Sequence, residues 1–414
     1  MENFQFYNLI PENAIKICKV LQSAGHQASI VGGCIRDLML NITPKDWDIT
    51  TSALPNEVIS LFAITYPTGI DHGTITVSMG KNIEDNFEVT TFRTDGQYLD
   101  GRRPNEVSFI KNIEEDLARR DFTINSMAFD PVNNNLIDPF NGQLDINNKI
   151  IKAVGDANLR FQEDGLRIMR AARFAARFEY EIEISTLEGM KNNIDTLKLV
   201  SKERISDELS KTLLSKNPYL GLQILNNCGA LDIACQLLKS RPEYLCFLNR
   251  NIKYSGALET RLAYIYANCK TLLVQNELFD LKFSSKEIKR VAFLLNLLDE
   301  LNTFIMKNTK LAFAQFIAKL KNETIDDWQY TYNEFITLIS VLGFDVNEIM
   351  PQSIYDCNNV FSKKEMNING NDLINLGFKP GPAIKIALDK CYQEILENPQ
   401  NNNKEYLILF LDKA

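Results

Sequence analysis

The chain has 414 residues, of which 45% are hydrophobic and 24% are charged. These values are typical of an ordinary soluble protein with about two to four packed units. A net charge of −8 excludes a surface that is basic throughout, so any nucleic acid must be held by local basic patches. Two histidines and eight cysteines, with no C-x-x-C pair, exclude a histidine-rich metal centre and indicate neither a zinc site nor a disulfide framework.

Residues 1–130 alternate between helical and strand patterns, which predicts a head of mixed α and β structure. The stretch 1–26 carries apolar residues at helical spacing, and Gly25 is typical of a helix end. Thr51 and Ser52 are typical caps for the helix that follows them. The predicted strands are Ala28–Val31, Trp47–Ile49, Thr74–Ser78, Phe87–Phe92 and Val107–Phe109, and the predicted helices between them are Cys34–Leu40 and Pro55–Phe62.

After Asp145 the strand patterns fade, and helical patterns rich in Leu, Ala, Lys and Glu take over. A polar loop, Glu397–Asn403, lies near the end. No segment is long and apolar enough to span a bilayer, and the N-terminus lacks the basic region of a signal peptide, so the predicted location is the cytoplasm. The clearest helical patterns are Ser201–Leu213, Leu220–Leu225 and Ser284–Leu301.

Two features near the first strand indicate a site for metal and phosphate. Gly32 and Gly33 lie between that strand and a helix, where a bare backbone and free helical N–H groups suit an anion. Asp46 and Asp48 are two residues apart on a predicted strand, so both carboxylates project from the same face. A hard cation relieves their repulsion, and Mg²⁺ fits because it prefers oxygen ligands.

The order Gly-Gly-x-x-Arg-Asp and then Asp-x-Asp resembles the first motif of the class II CCA-adding enzymes. These are tRNA nucleotidyltransferases of the polymerase-β-like superfamily, and bacterial poly(A) polymerases share the motif. The resemblance implies that Gly33 and Arg36 contact the incoming nucleotide, and that the catalytic residues Asp46 and Asp48 hold magnesium. The superfamily often has a third carboxylate on a neighbouring strand. Glu88 is the candidate, although the sequence leaves the face of its strand undetermined.

A second motif of that family, Arg-Arg-Asp, is similar to residues 119–121. By this resemblance Arg120 and Asp121 recognise the ribose of the nucleotide. The chemistry is reasonable because a carboxylate accepts a hydrogen bond from a 2′-hydroxyl, while an arginine steadies both that carboxylate and the phosphates. Without the other motifs, an ion-paired helix start would be the favoured interpretation.

Asp164, Arg167, Arg170 and Arg173 recur every three residues on a predicted helix, and arginines on one side of a helix need anions. The segment resembles the family's Glu-Asp-x-x-Arg motif, which implies that Asp164 and Arg167 form an amino-acid template for the base. Asp164 would accept from the amino group of C or A, and Arg167 would donate to the ring nitrogen. G and U would place a carbonyl oxygen against the Asp164 carboxylate, and they would be rejected because both groups are acceptors. Arg170 and Arg173 are then placed for phosphates or for positioning the template.

The resemblance is best over residues 28–176. It implies an α+β fold, with a polymerase-β-like nucleotidyltransferase head on a mixed β-sheet and then an elongated all-α region. The implied activity is template-independent addition of C, C and A to the 3′ end of tRNA from CTP and ATP, with release of pyrophosphate. The tRNA is expected to bind through its acceptor end and elbow. The expected domains are a catalytic head (1–145), nucleotide-selecting neck helices (146–210), a helical body (211–305) and a helical tRNA-binding tail (306–414).

Within the family, an A-adding tRNA nucleotidyltransferase and a poly(A) polymerase remain alternatives. The segment Thr94–Pro104 is similar to a flexible loop that CC-only relatives mostly lack, which disfavours CC-only addition. The segment Gly370–Pro382 resembles the tail of bacterial CCA-adding enzymes, and the acidic net charge disfavours a poly(A) polymerase.

Three other classes compete. The presence of both metal-site aspartates disfavours an inactive RNA-binding protein, and the absence of G-x-G-x-x-G disfavours a dinucleotide-binding enzyme. Nucleotidyl transfer to a small molecule stays open from the metal site alone, and the long helical remainder argues against it.

Overall fold

The structure is a computed structural model that describes residues 5–82, 85–95, 107–239, 256–307, 315–320, 328–345 and 363–413. The chain forms two compact units, residues 1–249 with 280–282 and the rest of the chain. Most of the predicted loop Thr94–Pro104 lies outside the described residues, so its conformation stays a prediction. Among the described residues, no helix combines the length and the apolarity needed to cross a bilayer.

The first unit contains a mixed sheet of seven strands, which confirms the predicted head. The strands of this sheet and of two smaller pairs are β1 (Ala28–Val31), β2 (Asp48–Thr51), β3 (Thr65–Gly69), β4 (Thr74–Ser78), β5 (Asn86–Thr91), β6 (Arg93–Asp95), β7 (Val107–Phe109), β8 (Ala128–Asp130), β9 (Asn135–Ile137), β10 (Ile150–Ile151) and β11 (Glu181–Ile182). The order in the large sheet is β3-β4-β5-β2-β1-β8-β9. Its β2 and β5 run parallel, whereas its other neighbours are antiparallel.

One face of this sheet is apolar and the other is polar, because side chains alternate along each strand. Ile49, Val77 and Val89 are fully buried on the apolar face, which helices α1 (Glu12–Ser23) and α3 (Pro55–Leu61) cover. The polar face carries the carboxylates described below. The face on which Asp48 lies therefore follows from the alternation that also builds the core.

Two local predictions in the head are wrong. The single helix over 1–26 is a 3₁₀ helix, Gln5–Leu9, followed by α1, because Pro11 interrupts the chain and fixes the start of a new helix. Thr51 and Ser52 do not cap α3. The N-cap is Leu54, whose backbone N–H donates to the carboxylate of Glu57 at 2.7 Å.

Helices dominate the remainder of the first unit, as predicted. Small residues of α7 (Leu166–Phe178), such as Ala172 and Ala176, let α9 (Lys202–Leu213) and α10 (Pro218–Asn227) pack closely against it. The other helices are α2 (Gly33–Met39), α4 (Ile113–Ala118), α5 (Gly142–Asn148), α6 (Ala157–Glu163), α8 (Ile184–Asn192), α11 (Leu231–Ala234) and α12 (Gln236–Lys239).

The second unit is helical throughout its described residues. Three of its helices meet at Glu334, whose buried carboxylate accepts from the hydroxyl of Thr260 at 2.7 Å and from Arg290 at 2.5 Å. The helices with defined ends are Leu258–Ile265, Thr271–Asp280, Ser285–Lys307, Trp328–Val341, Gly370–Asn375, Pro382–Glu397 and Lys404–Lys413. The predicted change from a mixed head to a helical remainder is thus confirmed.

Candidate active site

The predicted metal ligands lie at the start of β2. Asp48 is the first residue of that strand, but Asp46 lies two positions before it, so the prediction that both aspartates stand on the strand is wrong for Asp46 because the strand begins only at Asp48. In the parallel ladder Asp48 pairs with Glu88 of β5. Paired residues of neighbouring strands project to the same face, so Glu88 shares the face of Asp48. Its role as a third metal-site carboxylate stays a prediction.

These carboxylates repel one another. Limited solvation in its surroundings raises the pKa of Asp48 to about 6; the charge of Arg120 opposes this rise, and the charges of Glu88 and Asp46 add to it. Arg120 does not neutralise the group, because it is ion-paired with Asp116 instead. The carboxylates at the start of β2 are therefore electrostatically suited to a cation.

A divalent ion is compatible with this pair. Within the described ranges, no three metal-binding side chains come close enough together to form a complete protein site. Mg²⁺ usually takes only one or two protein carboxylates and completes its shell with substrate phosphates and water. Asp46 and Asp48 match that incomplete donor set.

The Gly-Gly turn lies beside these carboxylates and begins α2. Gly32 has a φ of +82°, and a Cβ there would lie 2.8 Å from Nη1 of Arg120. A larger residue would therefore be strained and would displace that guanidinium. The turn thus brings the second arginine of the Arg-Arg-Asp motif against the backbone that opens α2.

Arg36 is buried at the centre of a network from three elements. Its Nε and Nη2 donate to Asp37 at 2.9 and 2.7 Å, and its Nη1 donates to Asn125. Its guanidinium lies 5.2 Å from the ring centroid of Phe174 and 5.0 Å from that of Phe178, at cation–π distance. The predicted nucleotide ligand is thus held rigidly by α2 and α7, and its contact with nucleotide stays a prediction.

Arg120 and Asp121 face different partners. Oδ2 of Asp121 lies 2.7 Å from Nε and 2.6 Å from Nη2 of Arg170, and Oδ1 accepts from the side-chain amide of Asn125 at 3.0 Å. Burial raises the pKa of Asp121, but Arg170 and Asn125 outweigh burial and hold this pKa well below its usual range. The simple interpretation of the motif, an ion-paired segment, thus describes a large part of it.

Asp116 is a central residue that the sequence analysis missed. It is fully buried and accepts from Arg119 at 2.9 Å, from Arg120 at 3.4 Å and from the hydroxyl of Thr50 at 3.2 Å. The spacing Asp-x-x-Arg-Arg on a helix was the available signal, because residues three and four apart share a helix side. Asp116 ties the Arg-Arg pair to the polar face of the sheet.

The predicted base template is intact but occupied by protein partners. Asp164 accepts from Arg204 at 2.8 and 3.3 Å and from the backbone N–H of Leu166 at 3.0 Å. Arg167 donates to Glu163 at 2.6 Å and to the carbonyl of Arg119 at 2.9 Å. The two template residues therefore have fixed orientations, each set by a neighbouring element.

Four arginines on one side of α7, called the arginine row below, meet carboxylates. Its members and partners are Arg167 with Glu163, Arg170 with Asp121, Arg173 with Glu208 and Arg177 with Asp37. These protein carboxylates join α7 to the head through Asp37 and Asp121 and to α9 through Glu208. The placement of Arg170 and Arg173 for phosphates stays a prediction.

A cleft of about 630 Å³ lies between α2, the segment before β2, α7 and α9. It brings together five predicted residues, namely Gly33, Arg36, Asp46, Asp48 and Arg173. Four further cations line it that the sequence analysis did not select: Lys45, Arg177, Lys211 and Lys216. The other predicted residues, Arg120, Asp121, Asp164, Arg167 and Arg170, are not among its lining residues.

A carboxylate pair at a strand start, opposite a cation-lined wall of helices, defines a nucleotidyltransferase. Three family models agree with this class. The Poly A polymerase head domain matches residues 28–152, the probable RNA and SrmB-binding site of polymerase A matches 179–239, and the putative tRNA nucleotidyltransferase domain 2 matches 261–411.

Comparison over the full length identifies the family. The CCA-adding enzyme of Limosilactobacillus fermentum is 35% identical, covering 96% of this chain and 95% of that protein. The CCA-adding enzyme of Listeria monocytogenes serotype 4a is also 35% identical, over 94% and 95%. The crystal structure of the Bacillus stearothermophilus CCA-adding enzyme in complex with CTP superposes with a TM-score of 0.74 at 28% identity, covering 97% of this chain and 96% of the other. The chain belongs to the family of CCA-adding enzymes, which are tRNA nucleotidyltransferases.

Proposed function

We propose that the protein adds C, C and A to the 3′ end of tRNA from CTP and ATP and releases pyrophosphate. The observation that carries this proposal is that Asp46 and Asp48 line the same cleft as Arg36 and Arg173. Acidic groups that hold a metal and basic groups that hold a triphosphate are thus adjacent. Nucleotidyl transfer requires that combination because charge builds up on the reacting phosphate and on the departing pyrophosphate.

The family implies a divalent metal, and we propose Mg²⁺ held by Asp46 and Asp48, with Glu88 beside them. When bound, the ion polarises the RNA 3′-hydroxyl and neutralises the departing pyrophosphate. The protein supplies the surroundings. Arg173 and Lys211 line the cleft and offset the charge of the triphosphate, and Gly33 and Arg36, which also line it, contact the incoming nucleotide.

Asp164 and Arg167 are the proposed selectors of the base. A carboxylate has about four acceptor positions, and Asp164 uses three of them for Arg204 and the N–H of Leu166. One position therefore stays available for the exocyclic amino group of C or A. Arg167 is oriented by Glu163 and has further donors for a ring nitrogen. A base with a carbonyl oxygen at that position would meet an acceptor and be rejected.

The remaining assignments follow the family. We propose a head (1–145), neck (146–210), body (211–305) and tail (306–414), with tRNA bound through its acceptor end and elbow. The structure of the Thermotoga maritima CCA-adding enzyme was solved in complex with tRNA_CCA. The proposed location is the cytoplasm.

The test uses three tRNA transcripts, ending before CCA, after the first C and after the second C. Each is incubated with CTP, ATP or both, and the products are sized. Addition that stops at a complete CCA end on each transcript supports the proposal. A long A-tail indicates a poly(A) polymerase, and extension of only the CC-ended transcript indicates an A-adding enzyme.

A further inference from the structure

A straight row of residues paired in register crosses the sheet and starts at Asp48. Asp48 pairs with Glu88, Glu88 with Thr76 of β4, and Thr76 with Tyr66 of β3. Residues paired in register share a face of the sheet. Tyr66 therefore shares the face of Thr76 and Glu88. Beyond Tyr66 the register of β3 shifts, and the hydroxyl of Thr68 in that shifted part also lies 2.8 Å from that of Thr76.

Tyr66 ends the row on an edge strand. Because neighbouring strands lie about 4.8 Å apart, its Cα lies roughly 14 Å from that of Asp48. Tyr66 is 50% exposed, although edge strands usually carry charges that discourage unwanted pairing. The row therefore contains the carboxylates of Asp48 and Glu88, then the hydroxyl of Thr76, and finally the aromatic ring of Tyr66 at the edge of the sheet.

The cleft lies on the other side of Asp48. Its walls include residues of α2, α7 and α9, and neither Glu88, Thr76 nor Tyr66 is among them. In phosphoryl transfer the attacking and departing oxygens are roughly in line on opposite sides of the phosphorus. If the cleft holds the triphosphate, the attacking RNA end has to approach Asp48 from the side of β5, β4 and β3.

We propose that this row is the subsite for the single-stranded 3′ end of the RNA substrate, with Tyr66 stacking one of its last bases. The proposal rests on the function proposed above. An aromatic ring stacks any base, so it tolerates an end that changes after each addition. The hydroxyls of Thr76 and Thr68 are neutral and suit the ribose and phosphate of the same strand, close to the acidic centre.

The experiment measures stacking directly. A tRNA minihelix that ends before CCA carries 2-aminopurine as its last base, and its fluorescence is followed on binding without nucleotide. We expect the wild-type protein and Tyr66→Phe to quench the fluorescence, and Tyr66→Ala to lose this quenching. Leu54→Ala is the matched control, because Leu54 is 45% exposed beside α3, on the opposite side of the sheet.

Steady-state kinetics gives the second readout. Tyr66→Ala should raise KM for the minihelix about tenfold, the effect of one lost stacking contact, and leave KM for CTP unchanged. The proposal is overturned if the wild-type protein shows no quenching, or if Tyr66→Ala keeps wild-type quenching and KM. Failure of the proposed function is distinguishable, because the wild-type protein would then quench the fluorescence yet add no nucleotide.

Discussion

Charged side chains are arranged differently on the sheet and on helix α7. At the start of β2, limited solvation, and then the charges of Glu88 and Asp46, raise the pKa of Asp48 to about 6 against the opposing charge of Arg120. On α7, each member of the arginine row meets a carboxylate, and the pKa of Asp121 falls well below its usual range. The acidic region is only partly compensated, by the charge of Arg120, and is suited to a cationic ligand. The arginine row is compensated and serves mainly to position what surrounds it.

The largest effect, on the rate of nucleotide addition, is expected at the acidic start of β2. Asp48→Ala should reduce the single-turnover rate of addition on the order of 10³-fold, because the transition-state charge loses its metal ligand. Thermal stability should be unchanged or higher, because the substitution removes like-charge repulsion. Binding of tRNA, measured by fluorescence anisotropy, should persist. Retained turnover would contradict the metal assignment.

The arginine row should show the reverse behaviour, a loss of stability. Asp121→Asn leaves the partly buried Arg170 with only its longer ion pair to Glu208, at 3.8 Å, which should lower the free energy of unfolding by about 3 kcal/mol in urea denaturation. Lys198→Ala is the control. It removes an ion pair with Asp195 in which both side chains are largely exposed, so its effect should stay below about 0.5 kcal/mol. If both substitutions lowered the free energy of unfolding equally, the ion pairs of the arginine row would contribute no more to stability than an exposed surface pair, which would contradict the prediction.

The contribution of the Asp121–Arg170 ion pair to stability should depend on pH. Because the pKa of Asp121 is lowered in the folded state, its stabilising contribution is complete above its unfolded pKa of about 4 and is lost as pH falls below that value. The wild-type protein should therefore lose stability more steeply than Asp121→Asn in urea titrations below about pH 4. Parallel acid profiles would contradict this assignment.

Local spacing predicted Asp46 with Asp48 and three members of the arginine row, Arg167, Arg170 and Arg173. Arg177 was not selected, and the pairings could not be predicted because they depend on tertiary structure: Arg177 meets Asp37 across 140 positions of the chain, and Arg173 meets Glu208 across 35. The face occupied by Glu88 was undetermined for the same reason, since the register with β2 fixes it.

The next effect concerns selectivity. Asp164→Ala should raise incorporation of GMP and UMP relative to CMP and AMP about 10- to 100-fold, because the acceptor that rejects a carbonyl oxygen is gone. Single-nucleotide addition to transcripts ending before CCA, with each nucleotide alone, measures this ratio. Asp195→Ala, which removes an exposed carboxylate, should leave it unchanged. An unchanged ratio in Asp164→Ala would remove this residue from the template.

The smallest effect tests whether the arginine row depends on close helix packing. A Cβ at Gly221 of α10 would lie 2.5 Å from Cγ2 of Thr212 and 3.0 Å from Cβ of Ala176 on α7. Gly221→Ala should therefore destabilise the protein by about 1–2 kcal/mol, although the same change usually stabilises a helix. At Gly370 a Cβ would meet Ile384 at an ordinary 3.6 Å. Gly370→Ala should leave the free energy of unfolding unchanged or slightly higher in the same urea titration. Changes of opposite sign at the two glycines would show that α7 is held by the close approach of its neighbouring helices as well as by its ion pairs.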